Sequence, residues 1–318
     1  MHPTVPPATR RLAWALRGIG ALLLVGGLAA LYIGPLEVSA YYLFVEGGRF
    51  HYPGFRFGSF MFANITAQVA AYYLVAAAAI PLGLGSLRLR RWGLALMQTA
   101  LWLWLVAGLP LMLVGWAMLI TTKAFSVPGL ITGLILSLIA YPAAPLLLRR
   151  FYAHDAVAEI YAAHDPHPSA LEAVPLPVRG ICALLLLNVL ALHVPLLLNG
   201  AYPWFGTLLT GKPGFTALDL TIVALLILLW GLWNRWRWAY WGSLAAFALL
   251  GVSAFVTFSR LSLHDLLIAL ALPPAEQSFF AGLPFLGWSL AIPAVLAPAV
   301  MLVLLGAAWR HFIPERPA

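Results

Sequence analysis

Charge is scarce in this chain. Only 9% of its residues are Asp, Glu, Lys or Arg, against about 25% in a typical soluble domain. So little charge cannot cover a water-facing surface, which excludes a soluble globular protein. Within the long apolar stretches the shortage is sharper still. None of these four residue types falls near the middle of one, so the buried carboxylate relay common in proton-coupled carriers is not expected. Cysteine is nearly missing as well. Cys182 stands alone, which excludes an intrachain disulfide and a cysteine metal cluster. Its apolar surroundings suit a small packing residue. Only two of the eighteen basic residues are Lys. With the wealth of Ala and Leu, that is the usage expected of a GC-rich bacterial genome.

What the chain does have is hydrophobic length. Apolar residues make up 63% of its 318 positions. A helix needs roughly 20 apolar residues to cross about 30 Å of hydrocarbon. That criterion predicts eight spans, near 12–34, 60–84, 92–120, 127–148, 179–199, 217–234, 238–258 and 284–309. Arg10, Arg11 and Arg17 before the first resemble the start of a signal peptide. The same segment recurs mid-chain as span five, which argues for a retained helix. The apolar run Leu261–Leu272 has only twelve residues and holds His264 and Asp265. It predicts an interfacial or re-entrant helix.

The net charge of +8 does not point to nucleic acid, because the basic residues flank apolar stretches and meet headgroups there. With both termini in the cytoplasm, inner segments hold thirteen Arg and outer segments five Arg or Lys. The positive-inside rule therefore predicts that orientation and an even number of spans. The localisation expected is the plasma membrane.

The chain also repeats itself. Arg17–Leu24 (RGIGALLL) matches Arg179–Leu186 (RGICALLL) at seven of eight positions. Pro53-Gly54-Phe55 matches Pro213-Gly214-Phe215, and Arg88, Trp92 and Gly93 match Arg237, Trp241 and Gly242. Arg149 and Phe151 match Arg310 and Phe312. The fold class expected is an all-α integral membrane protein of two four-helix repeats, 1–150 and 179–318, joined by a solvated cytoplasmic linker at 151–178. Four spans per half is even, so the repeats run parallel about an axis along the membrane normal.

Aromatic residues cluster between spans six and seven (Trp230, Trp233, Trp236, Trp238, Trp241) and before span two (Tyr41 to Phe57). Both clusters suit the headgroup level. Gly129, Gly133 and Ser137 recur every four residues on span four, the spacing of a close internal helix seam. The prolines within spans predict kinks.

Candidate functional residues are few. Asn64, Gln68, His193 and Asp219 are the polar groups that would line a cavity between the halves. Asp219 lies near the expected start of span six, where it would cap the helix. Gln98 and Asn188 are further in-span amides. His193 suits axial ligation of a haem or chlorophyll metal, but its repeat-equivalent region carries Leu31 and Tyr32. Packing is the preferred role, and no cofactor is expected. Arg260, His264 and Asp265 form a possible outer polar site, with His264-Asp265 as a base and its orienting partner. His154, His164 and His167 are weak metal candidates, with no strong motif spacing. The leading expectation is a non-catalytic accessory subunit whose partners are the bilayer and other membrane subunits. A transporter of a lipid or apolar small molecule comes second, and an enzyme acting on lipid headgroups third.

Overall fold

The computed structural model describes residues 7–122, 126–281 and 291–313. Among the described residues the regular structure is helical apart from one short hairpin. Its helices are α1 (Pro7–Phe44), α2 (Phe60–Leu87), α3 (Arg91–Thr122) and α4 (Val127–Leu138), the last continuing through a π-helical stretch, Ile139–Ala143, into α5 (Ala144–Tyr152). Next come α6 (Asp155–His164), α7 (Leu176–Ala191), α8 (His193–Leu197) and the strands β1 (Tyr202–Trp204) and β2 (Thr207–Leu209). After these follow α9 (Gly211–Trp233), α10 (Arg237–Phe258), α11 (Leu263–Ala269), α12 (Pro274–Ala281) and α13 (Ala291–Ala307). Among the described residues, seven helical stretches are long and apolar enough to cross a membrane. The expected start of span eight at 284, together with Lys123 and Arg316, lies outside the described residues.

Several boundaries differ from expectation. Helix α1 runs to Phe44 instead of ending at 34, and its 38 residues reach about 57 Å at 1.5 Å per residue. Pro35 sits inside it. Pro142 lies in the π-helical stretch, where the widened turn accommodates the missing N–H donor. Helix α11 has seven residues, about 10 Å of rise, so Leu261–Leu272 does not span. Of the residues expected to form an internal seam, Gly129 is exposed and Gly133 and Ser137 are half-buried, and α4 has no buried residue among those described.

Two compact units divide the chain. The first comprises residues 1–39, 68–109 and 131–176, the second 40–67, 110–130 and 177–318. In the first unit, Leu16, Leu82, Leu89, Leu94, Met97 and Leu101 pack with Tyr152, Val157, Ile160 and Tyr161. The segment 151–178 is therefore not a solvated linker. Its apolar residues at 157, 160 and 161 recur at helical spacing and bury one face of α6. Asp165 accepts a hydrogen bond from the Arg91 N–H at 3.2 Å and lies 3.5 Å from the Arg90 guanidinium. Glu172 meets Arg91 Nε at 3.0 Å. An acidic group at the first turn of α3 satisfies donors that have no intrahelical partner. Burial pushes the Tyr161 phenol above its ordinary pKa, and the Ser86 hydroxyl acts weakly the other way.

The turns α2–α3 and α9–α10 share one geometry. Arg90 N–H donates to Gly85 C=O and Leu89 N–H to Ser86 C=O; Trp236 N–H donates to Gly231 C=O and Arg235 N–H to Leu232 C=O. Each is a Schellman closure. Leu89 and Arg235 hold the left-handed position at φ 50° and 57°. Gly85 is pressed against Gly93 and Trp92, and Gly231 against Ala239 and Trp238, with no room for a Cβ at either glycine. The two turns thus align at an offset of 146 residues. At that offset Arg91 and Trp92 fall on Arg237 and Trp238, three positions from the match of Arg88, Trp92 and Gly93 with Arg237, Trp241 and Gly242 expected from the sequence.

These turns generate an opposed pair of outcomes. Arg235 is exposed, so Arg235→Gly removes left-handed strain without losing packing and should stabilise by about 1 kcal/mol. Leu89 is fully buried, so Leu89→Gly should destabilise by about 1–3 kcal/mol despite the same relief. Melting temperatures of the detergent-solubilised protein check both signs.

Candidate functional site

Within the second unit a β-hairpin lies against helix α10. Strands β1 and β2 pair antiparallel, joined by Phe205 (φ 42°) and Gly206 (φ 102°). A two-residue turn with positive φ at both positions matches strand twist and favours Gly at the second. Phe205 N–H donates to Ser253 Oγ and Gly206 N–H to Thr257 Oγ1, both at 2.9 Å, while the Ser253 hydroxyl donates to Pro203 C=O at 2.8 Å. The tip donors of the hairpin are thus satisfied by hydroxyls on an apolar helix. Below it, α9 and α10 leave a groove of about 640 Å³, lined by Trp204, Phe205, Leu220, Ala224, Leu249 and Leu250 among others. That volume suits a small ligand. Its walls are mostly apolar, so it can hold a hydrocarbon chain, and the polar groups on them are the hydroxyls of Tyr202, Thr216, Thr221 and Ser253.

None of Asn64, Gln68, His193 and Asp219 lines this groove. Asn64 is half-buried on α2, and Gln68 is exposed one turn on. His193 sits at the break between α7 and α8, with Nδ1 donating to Val189 C=O at 2.9 Å. Asn188 donates to Leu184 C=O at 2.8 Å, and Gln98 to Tyr152 C=O at 3.2 Å. The outer set is also separate. Asp265 accepts from the Ser262 hydroxyl, and its own N–H donates back to Ser262 Oγ, closing the first turn of α11. The Ser262 hydroxyl, with His264 contributing less, holds the Asp265 carboxyl below its ordinary pKa. Arg260 instead lies beside Gly206. In the first unit, His154 accepts from Ala156 N–H at the start of α6, and His164 faces Ile160 C=O. His167 is exposed. Among the described residues, no three His, Cys, Asp or Glu side chains form a group that could hold a metal.

Asp219 corrects an expectation. Helix α9 starts at Gly211, six residues early, so Asp219 lies in its third turn and cannot cap the first four N–H groups. It is exposed, and among the described residues it has no partner. Tryptophan on a membrane-crossing helix favours the headgroup level, and Asp219 stands eleven residues before Trp230, about 16 Å along the axis of α9. That is roughly half of the ~30 Å hydrocarbon layer. A carboxylate at such depth costs about 2.5–3.5 kcal/mol.

Glu276 is the residue that sequence reasoning missed. It is 1% exposed on α12. Its carboxylate oxygens accept from Phe60 N–H at 2.7 Å and Met61 N–H at 2.9 Å, while Ser59 Oγ accepts from Phe62 N–H. The start of α2 is thus capped by a residue 216 positions away. Burial first, and then the facing Glu276 carboxylate, raise the Tyr52 phenol pKa. Beside this cap, Gly54 at φ 81° abuts Pro273, leaving no space for a side chain. Tyr41, Phe44, Phe55 and Phe62 stack around the same connection. One signal was available: a lone Glu after a Pro-Pro pair in an apolar region needs a donor.

No protein-family model matches this chain, and no curated protein and no solved structure matches it either.

Removing the Glu276 carboxylate should expose its role directly. Glu276→Ala leaves two buried N–H donors bare and should lower stability by about 2 kcal/mol. Glu276→Gln keeps one acceptor oxygen and should lose less. Thermal unfolding in detergent, read for both variants beside the wild type, checks the order.

Proposed function

We propose that this chain is a non-catalytic membrane protein working as an accessory subunit of a larger membrane complex. The observation that carries the reading is where its in-span polar side chains go. Thr99, Asn188 and Thr221 donate to carbonyls of their own helices and His193 to Val189 C=O one turn back, while Thr221 also meets the Tyr202 hydroxyl at 3.0 Å. Gln68 and Asp219 are exposed on helices α2 and α9. A carrier of polar cargo or a membrane enzyme turns such groups toward one another. Helix α4, apolar and without a buried residue, adds a surface for lipid or a partner to cover.

The topology that accompanies this proposal has eight spans, with α13 in the eighth. Both termini are cytoplasmic, in the plasma membrane of a bacterium. The halves 1–150 and 179–318 are parallel repeats flanking 151–178. The two matching Schellman turns support the duplication, and so does the full burial of Leu16 and Val178 one residue before the paired Arg17 and Arg179. Isolation from native membranes at native expression, followed by mass measurement of the intact particle, tests the function. A stoichiometric complex with other proteins is expected. A lone 34.5 kDa chain in lipid and detergent would sink the reading.

The groove under the hairpin favours a second reading, in which the chain holds or moves a lipid or apolar small molecule. Ala224→Trp fills that groove. On this reading, the variant should lose lipid adducts that the wild type retains in native mass spectrometry. Equal adducts in both proteins would remove it.

A further inference from the structure

We propose that the Asp219 face of α9 docks a transmembrane helix of a different protein, and that this helix carries an Arg or Lys at the depth of Asp219. The inference rests on the accessory-subunit reading and names the chemistry of the partner.

The face is continuous. Lys212, Thr216, Asp219, Val223, Leu226 and Trp230 are all exposed, and they follow one another at intervals of four, three, four, three and four residues. That alternation is the seam of a left-handed helix pair. The opposite side of α9, at Leu218, Leu225 and Leu232, is fully buried in its own unit. Packing within the chain therefore already accounts for one side of α9 and leaves the seam uncovered.

Charge decides what covers it. Hydrocarbon cannot solvate a carboxylate, and ionisable residues within spans pair with one another or face water. Among the described residues, the ion pairs are those of Arg90 with Asp165 and Arg91 with Glu172, in the first unit. Lys212 stands seven residues above Asp219, about 10 Å along the axis, too far to pair. A lipid tail supplies no donor at that depth. A second copy fails for a different reason. Copies inserted in one orientation and related by an axis along the membrane normal bring Asp219 opposite Asp219 at equal depth, where like charges repel. A basic side chain on an unlike helix satisfies the carboxylate and gains the apolar seam below it. The short side chains flanking Asp219 at one turn's distance, Thr216 with its hydroxyl turned to Lys212 C=O and Val223, allow that helix to approach closely.

The test is photo-crosslinking in native membranes, with p-benzoylphenylalanine in place of Val223. The adduct should be a protein, cross-linked within a transmembrane helix that contains Arg or Lys. Its yield should fall at least five-fold in Asp219→Asn and persist in Asp219→Glu, each compared at equal membrane insertion. Reversing both charges, Asp219→Lys with the partner's basic residue changed to Asp, should restore it. The proposal is overturned by an adduct to lipid alone, by an adduct to a second copy, by a cross-linked helix without a basic residue, or by a yield that Asp219→Asn leaves unchanged. If the complex still purifies intact under any of those results, only the docking face is wrong. If no complex purifies either, the accessory-subunit reading falls with it.

Discussion

In a solvent without hydrogen-bonding partners, every backbone N–H and C=O has to be satisfied by the chain itself. Most of this structure answers that one demand. Helices satisfy their own interiors, so the problem moves to their ends, where four donors and four acceptors are left over. The chain meets it by bringing acids from far away. Glu276 reaches the start of α2, and Asp165 reaches the start of α3. Each interaction ties an end that would otherwise have to seek water to a segment distant in sequence. The Schellman turns after α2 and α9 do the same for carbonyls, with Leu and Arg in the left-handed position that glycine usually takes.

The hairpin between α8 and α9 is another answer. A two-residue turn exposes its tip N–H groups, and Ser253 and Thr257 on α10 receive them. Those hydroxyls look like ordinary small residues of an apolar helix. Their positions, one turn apart, are what allow the hairpin to close over α9 and α10 and shape the groove beneath. Functionally, the polar inventory of the spans is largely spent on such backbone duties. Gln68 and Asp219 are exposed instead, and Asp219 is charged and without a partner among the described residues.

Composition and the length of apolar runs made the helical membrane class legible, because a hydrocarbon solvent imposes a minimum span and tolerates little charge. The failure of Leu261–Leu272 to span was legible for the same reason. The role of 151–178 was not. Its histidines and prolines resembled a linker, while the apolar residues 157, 160 and 161 carried only two turns of helical spacing. Glu276 was hidden because its meaning depends on donors 216 residues away. The place of Asp219 within its helix was misjudged because Lys212, Pro213 and Gly214 read as a loop. Pro is in fact well tolerated in a first turn, where its missing N–H has no partner to lose.

By itself, then, the sequence determined solvent, element type and the local likeness of its two halves. Each follows from side-chain hydrophobicity and short-range pattern, which act within a few residues along the chain. Tertiary structure alone decided which acid caps which helix, which way the polar side chains turn, and where a groove opens. These depend on contacts between segments distant in sequence, and a linear pattern carries no measure of that distance. The likeness of the two turns belongs to both. Arg-Gly-Ile could be matched by eye, but the offset of 146 at the turns emerged only from hydrogen bonds and glycine contacts that allow no slip.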